Sequence, residues 1–118
     1  MNTSFQRARE PTLPEINELI ARSKSYWPWT PAYLHAALPL HILSVDYLQK
    51  NYCVEVRDDA GALVGFGSLA GQPPSLLLDN LWIEPALIGK GIGRAAFLYL
   101  RQAATHRGAA VLLRCSPI

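Results

Sequence analysis

The sequence predicts an α+β fold: a mixed sheet with flanking helices, in which three antiparallel strands lead into a β-α-β crossover. Three observations carry that expectation. Tyr52–Arg57 and Ala62–Ala70 alternate as strands around Asp58-Asp-Ala-Gly61, the pattern of a hairpin. Leu76–Ile83 is an almost wholly apolar strand bounded by Pro73-Pro74 and Pro85, which leaves it little room for a wet face and places it centrally in the sheet. Beyond it, Ile92, Ala95, Ala96, Tyr99, Leu100 and Ala103 fall on one stripe at helical spacing, and Ala109–Cys115 follows as a second buried strand.

The elements follow in order from local signals. Phe5–Arg9 alternates moderately and makes a short first strand. Thr12-Leu-Pro-Glu15 has the form of a capping box, with Pro14 tolerated in the first turn, and Ile16, Leu19 and Ile20 give that helix its buried stripe up to about Ser25. Tyr26-Trp-Pro-Trp29 and Thr30-Pro31 break it, and a further segment runs from Ala32 to Leu38, closed by Pro39. Ser44 is placed to cap a short helix through Lys50. After the hairpin and the apolar strand, the last helix runs to His106, with Phe97 and Leu98 widening its apolar face and Gly108 as its stop.

Composition bounds the function. The chain has 118 residues, enough for one domain with one core, and half of them are hydrophobic against 17% charged, which argues against disorder. A net charge of +2 with scattered Lys and Arg gives no nucleic-acid footprint. No apolar run approaches the ~18 residues of a membrane span, and Met1-Asn-Thr-Ser-Phe-Gln-Arg7 has no signal-peptide character. Cys53 and Cys115, the only cysteines, lack metal spacing and suit free thiols in a cytoplasmic protein.

The chemistry-bearing stretch lies between the apolar strand and the last helix. Gly89, Gly91 and Gly93 alternate as that helix opens, where backbone N–H groups have no partners and the helix dipole is positive. Glycine lets the main chain approach a bulky anion and take positive φ, and Lys90 and Arg94 add charge beside it. This is a phosphate cradle in physical terms. It is not a Walker loop, since Gly91 rather than Ser or Thr follows Lys90. Its G-x-G-x-G spacing is not the dinucleotide fingerprint either.

The arrangement resembles the acetyl-CoA signature of the GNAT superfamily of N-acetyltransferases, Arg/Gln-x-x-Gly-x-Gly/Ala, with Ile88-Gly-Lys-Gly91-Ile-Gly93 preceded by Ile83-Glu84-Pro85. Ile88 departs from it, standing where the superfamily usually has Arg or Gln. The resemblance implies an enzyme that moves an acetyl group from acetyl-CoA to a primary amine of a small molecule or peptide. It implies that Gly89, Lys90, Gly91, Ile92, Gly93 and Arg94 hold the pyrophosphate. The main chain of Leu81, Trp82 and Ile83 would hold the pantetheine arm and polarise the thioester carbonyl.

A base is expected on or near the same strand, where Asp79, Asn80 and Glu84 interrupt the apolar run. Asp79 is favoured, because a carboxylate amid Leu side chains would be pushed toward a useful range; its competing role is to accept backbone bonds at a bulge. Trp27, Trp29 and Tyr33 are candidates for the acceptor pocket. The superfamily's further helix, with the Tyr that protonates the thiolate, and its last two strands have no counterpart here. An exposed last strand, Val111 to Cys115, would then favour a homodimer. Two other readings remain: a CoA-binding regulatory remnant without catalysis, and an interaction domain whose glycine loop is only a turn.

Overall fold

The computed structural model describes residues 2–113, apart from the side chains of Leu40 and His41. The chain forms β1 (Ser4–Arg7), α1 (Leu13–Tyr26), α2 (Pro31–Ala37), α3 (Val45–Lys50), β2 (Tyr52–Arg57), β3 (Leu63–Gln72), β4 (Ser75–Ile83), α4 (Ile92–His106) and β5 (Ala110–Leu113). Five strands lie in the order β1-β2-β3-β4-β5, antiparallel up to β4 and parallel between β4 and β5. This is the α+β arrangement expected, with α4 as the crossover. The sequence expectation carries the last strand to Cys115, and residues 114 and 115 lie outside the described residues.

Helices cover both faces. Ile16, Leu19 and Ile20 of α1 and Leu48 of α3 pack on Cys53 and Phe66. On the other face, Ile92, Ala96, Leu100 and Ala104 of α4 meet Val54, Val56, Val64, Leu69 and Leu76. Each large side chain buried in these layers contributes roughly 1.5–3 kcal/mol. The buried stripe of α4 thus runs strictly every fourth residue. Ala95, Tyr99 and Ala103, expected within it, lie half-buried at its margins, and Leu98 is exposed. The reason lies in the strand beneath. A Cβ built on Gly67 would sit 2.7 Å from Leu100 Cδ1, and one on Gly65 would sit 3.2 Å from Ile83 Cδ1. The Leu100 side chain rests on the main chain of β3 at Gly67, so helix and strand approach closely along that line.

Two local expectations are corrected. Thr12 does not close a capping box: it has helical dihedrals, makes no side-chain cap bond and is buried. A 3₁₀ turn at Glu10–Thr12 feeds straight into α1, so the extended geometry that a cap requires is never adopted. By contrast, Thr30 and Ser44 do cap α2 and α3, accepting from the amides of Tyr33 and Tyr47 at 3.2 and 3.1 Å. In β4 only Leu76 and Asn80 are buried, and its other apolar side chains are partly open. Interior to the sheet, the strand is nevertheless not sealed by the helices above and below it.

One charge is fully enclosed. Glu55 of β2 is 0% exposed; its Oε1 accepts from Arg57 Nη2 at 3.0 Å and from Gln6 Nε2 at 2.5 Å. Arg57 also reaches Glu15 of α1 at 3.7 Å, so the pair ties the sheet to that helix. Removing one member of such a buried pair leaves a charge that nothing offsets.

Candidate active site

β4 leads through Glu84 and a 3₁₀ turn at Pro85–Leu87 into the glycine loop. That turn closes two loop amides: Ile88 N–H donates to Pro85 O and Lys90 N–H to Leu87 O, each at 3.3 Å. The first intrahelical bond runs from Ala95 to Gly91 O, and Gly91 offers no side-chain cap. Among the described residues, the amides of Gly89, Gly91, Ile92, Gly93 and Arg94 are therefore without protein acceptors. Gly89 and Gly91 have φ of +89° and +84°, and a Cβ on either would meet nothing within 4 Å. The loop is thus conformationally reserved for glycine and open where side chains would otherwise stand. Gly93 has ordinary dihedrals and backs onto Ile83. Lys90 and Arg94 are exposed beside it, and Ile88 points outward as an exposed apolar side chain.

The loop has a neighbour in α1. Glu84, a candidate base from sequence, is engaged by Arg22 at 2.8 Å through Nη2 and 3.2 Å through Nε. Its role in this structure is to tie α1 to the end of β4.

The other two candidate carboxylate and amide groups converge. The β3–β4 ladder pairs Ser68 with Asn80 and then Leu69 with Leu78, so Asp79 is the extra residue of a bulge. On an unbroken strand, consecutive side chains would take opposite faces. The bulge instead brings Asp79 and Asn80 to one atom, the hydroxyl of Tyr47 on α3. Tyr47 Oη donates to Asp79 Oδ2, accepts from Asn80 Nδ2 at 3.0 Å and lies 2.8 Å from Ser68 Oγ. Asn80 Nδ2 also donates to Ser68 Oγ at 3.0 Å, and its Oδ1 accepts from Trp82 Nε1 at 2.9 Å.

These contacts have one consistent proton assignment. A carboxylate can only accept, so the single phenol proton goes to Asp79, and Ser68 must donate its own to Tyr47. The chain of donors therefore runs from Trp82 through Asn80, Ser68 and Tyr47 and ends on Asp79. Ser68 is wholly buried, whereas Asp79 is exposed and not enclosed by Leu side chains as the sequence suggests. Burial first, and Asp79 second, push the Tyr47 phenol well above its ordinary range, so it stays protonated at any physiological pH. Sequence reasoning did not single out Tyr47. The available signal was Ser68, a hydroxyl interrupting an apolar strand.

Of the proposed acceptor aromatics, Trp27 and Tyr33 are exposed and Trp29 is half-buried. Trp29 and Tyr33 pack with centroids 4.9 Å apart, and Lys24 Nζ sits 4.6 and 5.1 Å from the two rings. They form one cluster at the C-terminal end of α1, the helix whose Arg22 holds Glu84.

A helix N-terminus with unengaged amides is thus joined, through a bulged strand, to an exposed carboxylate on a five-stranded mixed sheet. The sequence matches the acetyltransferase (GNAT) family over residues 13–117, and the chain belongs to that family. Acetyl-CoA is the family's cosubstrate and acetyl transfer its reaction class. No curated protein matches the sequence at a significant level.

Among solved structures, the fold is similar to the PaiA N-acetyltransferase of Thermoplasma acidophilum in complex with coenzyme A. That match has a TM-score of 0.79 at 16% identity, over 94% of this chain and 79% of that one. It is also similar to the ribosomal-protein-S18-alanine N-acetyltransferase of Escherichia coli, with a TM-score of 0.69 at 16% identity, over 95% and 66% of the two chains. A third is AAC(6')-Iy in complex with the bisubstrate analogue CoA-S-monomethyl-acetylneamine, at TM-score 0.65 and 14% identity, over 99% and 82%. At these identities the likeness concerns the fold.

Proposed function

We propose that this chain transfers the acetyl group of acetyl-CoA to a primary amine of a small molecule or peptide in the cytoplasm, with Asp79 as general base and Tyr47 positioning it. The observation that carries the reading is the set of unengaged amides at Gly89 and from Gly91 to Arg94, in a loop whose two positive-φ glycines have open space at their Cβ positions. Such donors suit a diphosphate, whose charge the dipole of α4, Lys90 and Arg94 would offset. Main-chain groups of Leu81, Trp82 and Ile83 continue from the loop toward the bulge and would hold the pantetheine arm. Bound acetyl-CoA supplies an activated thioester. Asp79 Oδ takes the proton that the amine loses as its nitrogen bonds to the acyl carbon, and the carbon–sulfur bond breaks to release CoA thiolate. The Tyr47 phenol, unable to act as a base in this range, fixes the orientation of that carboxylate. Trp27, Trp29 and Tyr33 would front the acceptor.

The reading includes a homodimer formed along β5, where Leu112 and Leu113 are 53% and 63% exposed. A monodisperse monomer in light scattering removes that part.

Calorimetry with CoA and thiol release from acetyl-CoA with an amine panel test the rest. We expect CoA to bind and thiol to be released in an amine-dependent way. Asp79→Asn should lower kcat by about 10²-fold or more while leaving CoA affinity unchanged. Absence of binding heat overturns the coenzyme assignment. Binding without amine-dependent thiol release overturns catalysis alone.

A further inference from the structure

The charge of the chain is unevenly divided, contrary to the scattering suggested by a simple count. Lys90, Arg94, Arg101, Arg107 and Arg114 all follow Glu84, and no Asp or Glu does. Lys90 and Arg94 flank the glycine loop. Arg107 lies roughly 20 Å further along α4 at the helical rise, so the coenzyme loop does not account for it.

At that far end Arg7, closing β1, and Arg107, just past α4, both stack on Tyr52 of β2. Their Cζ atoms lie 4.2 and 4.1 Å from the ring centroid, which brings the two cations within about 8 Å of each other. Among the described residues neither has a carboxylate ion-pair partner. Arg107 spends one N–H on Ala103 O, and Arg7 makes no side-chain hydrogen bond among the described residues. A cleft of about 250 Å³ opens beside them, walled by Arg7, Lys50, Asn51, Tyr52, Gln72 and Arg107, with no acidic residue on its lining. Lys50 is paired with the exposed Asp46 at 3.1 Å, outside that lining. Stacking on an aromatic ring orients a guanidinium fork without neutralising it, and two like charges held this close favour an anion in the cleft they share.

We propose that this cleft is a second anion site, separate from the coenzyme loop, which takes the phosphate or carboxylate group of a small metabolite. Arg7 and Arg107 present fixed N–H forks, and the Asn51 and Gln72 amides complete the rim. The site needs no acetyl transfer and stands if that activity is absent.

The test is a backbone amide NMR titration of the whole chain with inorganic phosphate and, separately, citrate, at constant ionic strength. Both probes should shift Asn51, Tyr52, Gln72 and Arg107 along one saturable curve, distinct from any response of Gly89 to Arg94. The tighter of the two identifies the oxyanion preferred. Arg107→Gln and Arg7→Gln should each weaken binding at the cleft by about tenfold, the worth of one charge-assisted contact, and leave the glycine-loop response unchanged. Two results overturn the proposal: shifts confined to the glycine loop, or cleft affinity unaltered in whichever of the two variants keeps the wild-type spectrum elsewhere.

Discussion

Replacing Tyr47 by Phe removes one oxygen and keeps the ring, which makes the donor chain at the bulge directly measurable. Asp79 is exposed and recovers water for the lost donor. Ser68 is fully buried, and its proton loses its acceptor; Asn80, also buried, keeps one of its two amide contacts. One stranded buried donor costs about 1–3 kcal/mol, and no cavity adds to it. We expect a loss of about 2 kcal/mol, seen as a fall in Tm on the order of 10 °C for a domain of this size. The pH dependence has a sign. An unfolded tyrosine ionises near pH ~10, while the folded phenol holds its proton well beyond that. The folded state therefore binds the extra proton above that pH. This contribution is fully present below it and declines as pH rises, and the Phe variant lacks that component of the alkaline decline. In the transferase assay kcat should fall by about ten- to a hundredfold with little change in the KM for acetyl-CoA, because the coenzyme loop is untouched. An unchanged Tm refutes the proton assignment. A lowered Tm with unchanged kcat refutes the positioning role alone.

Other outcomes follow from individual positions. Gly91→Glu should weaken CoA by more than about a hundredfold in calorimetry, since it adds negative charge where the free amides point; its left-handed φ costs only about 1–2 kcal/mol of stability. Equal affinity in that variant would move the coenzyme elsewhere. Gly67→Ala should destabilise by about 1–3 kcal/mol in urea denaturation, because its methyl meets Leu100 under a closed helix. Arg57→Met should lose about 3–5 kcal/mol in the same assay by leaving Glu55 buried and uncompensated. Burial pushes the Cys53 thiol up to about 12, so in a Cys115→Ser background its reaction with a disulfide reagent at pH ~8 should be at least about a hundredfold slower folded than in urea. Fast labelling of the folded chain would contradict that burial.

What the sequence disclosed, it disclosed through periodicity and punctuation. β2 matches its alternating segment to the residue, and Gly61 and Gly108 both take the positive φ expected of a turn and a helix stop. The glycine loop was readable because its chemistry is main-chain chemistry, written as the absence of side chains. Features made by pairing were not readable. A bulge is a mismatch between two strands, so nothing in Leu76–Ile83 alone says that Asp79 will turn toward the face of Asn80. Tyr47 and Ser68 lie 21 residues apart and meet only after the sheet has formed. The capping signal at Thr12 failed for a related reason: the preceding turn, which that motif does not encode, set its dihedrals.

Gly65 and Gly67 leave β3 bare on the side that carries α4. At Gly67 the spacing between the helix and the sheet is therefore set by one α4 side chain, Leu100, resting on bare strand. Because the glycine loop is the entrance to that helix, the height of its amides above β4 is inherited from the same contact. A change of bulk at Leu100, or a methyl added at Gly67, is thus expected to be felt at the donors as well as in the core.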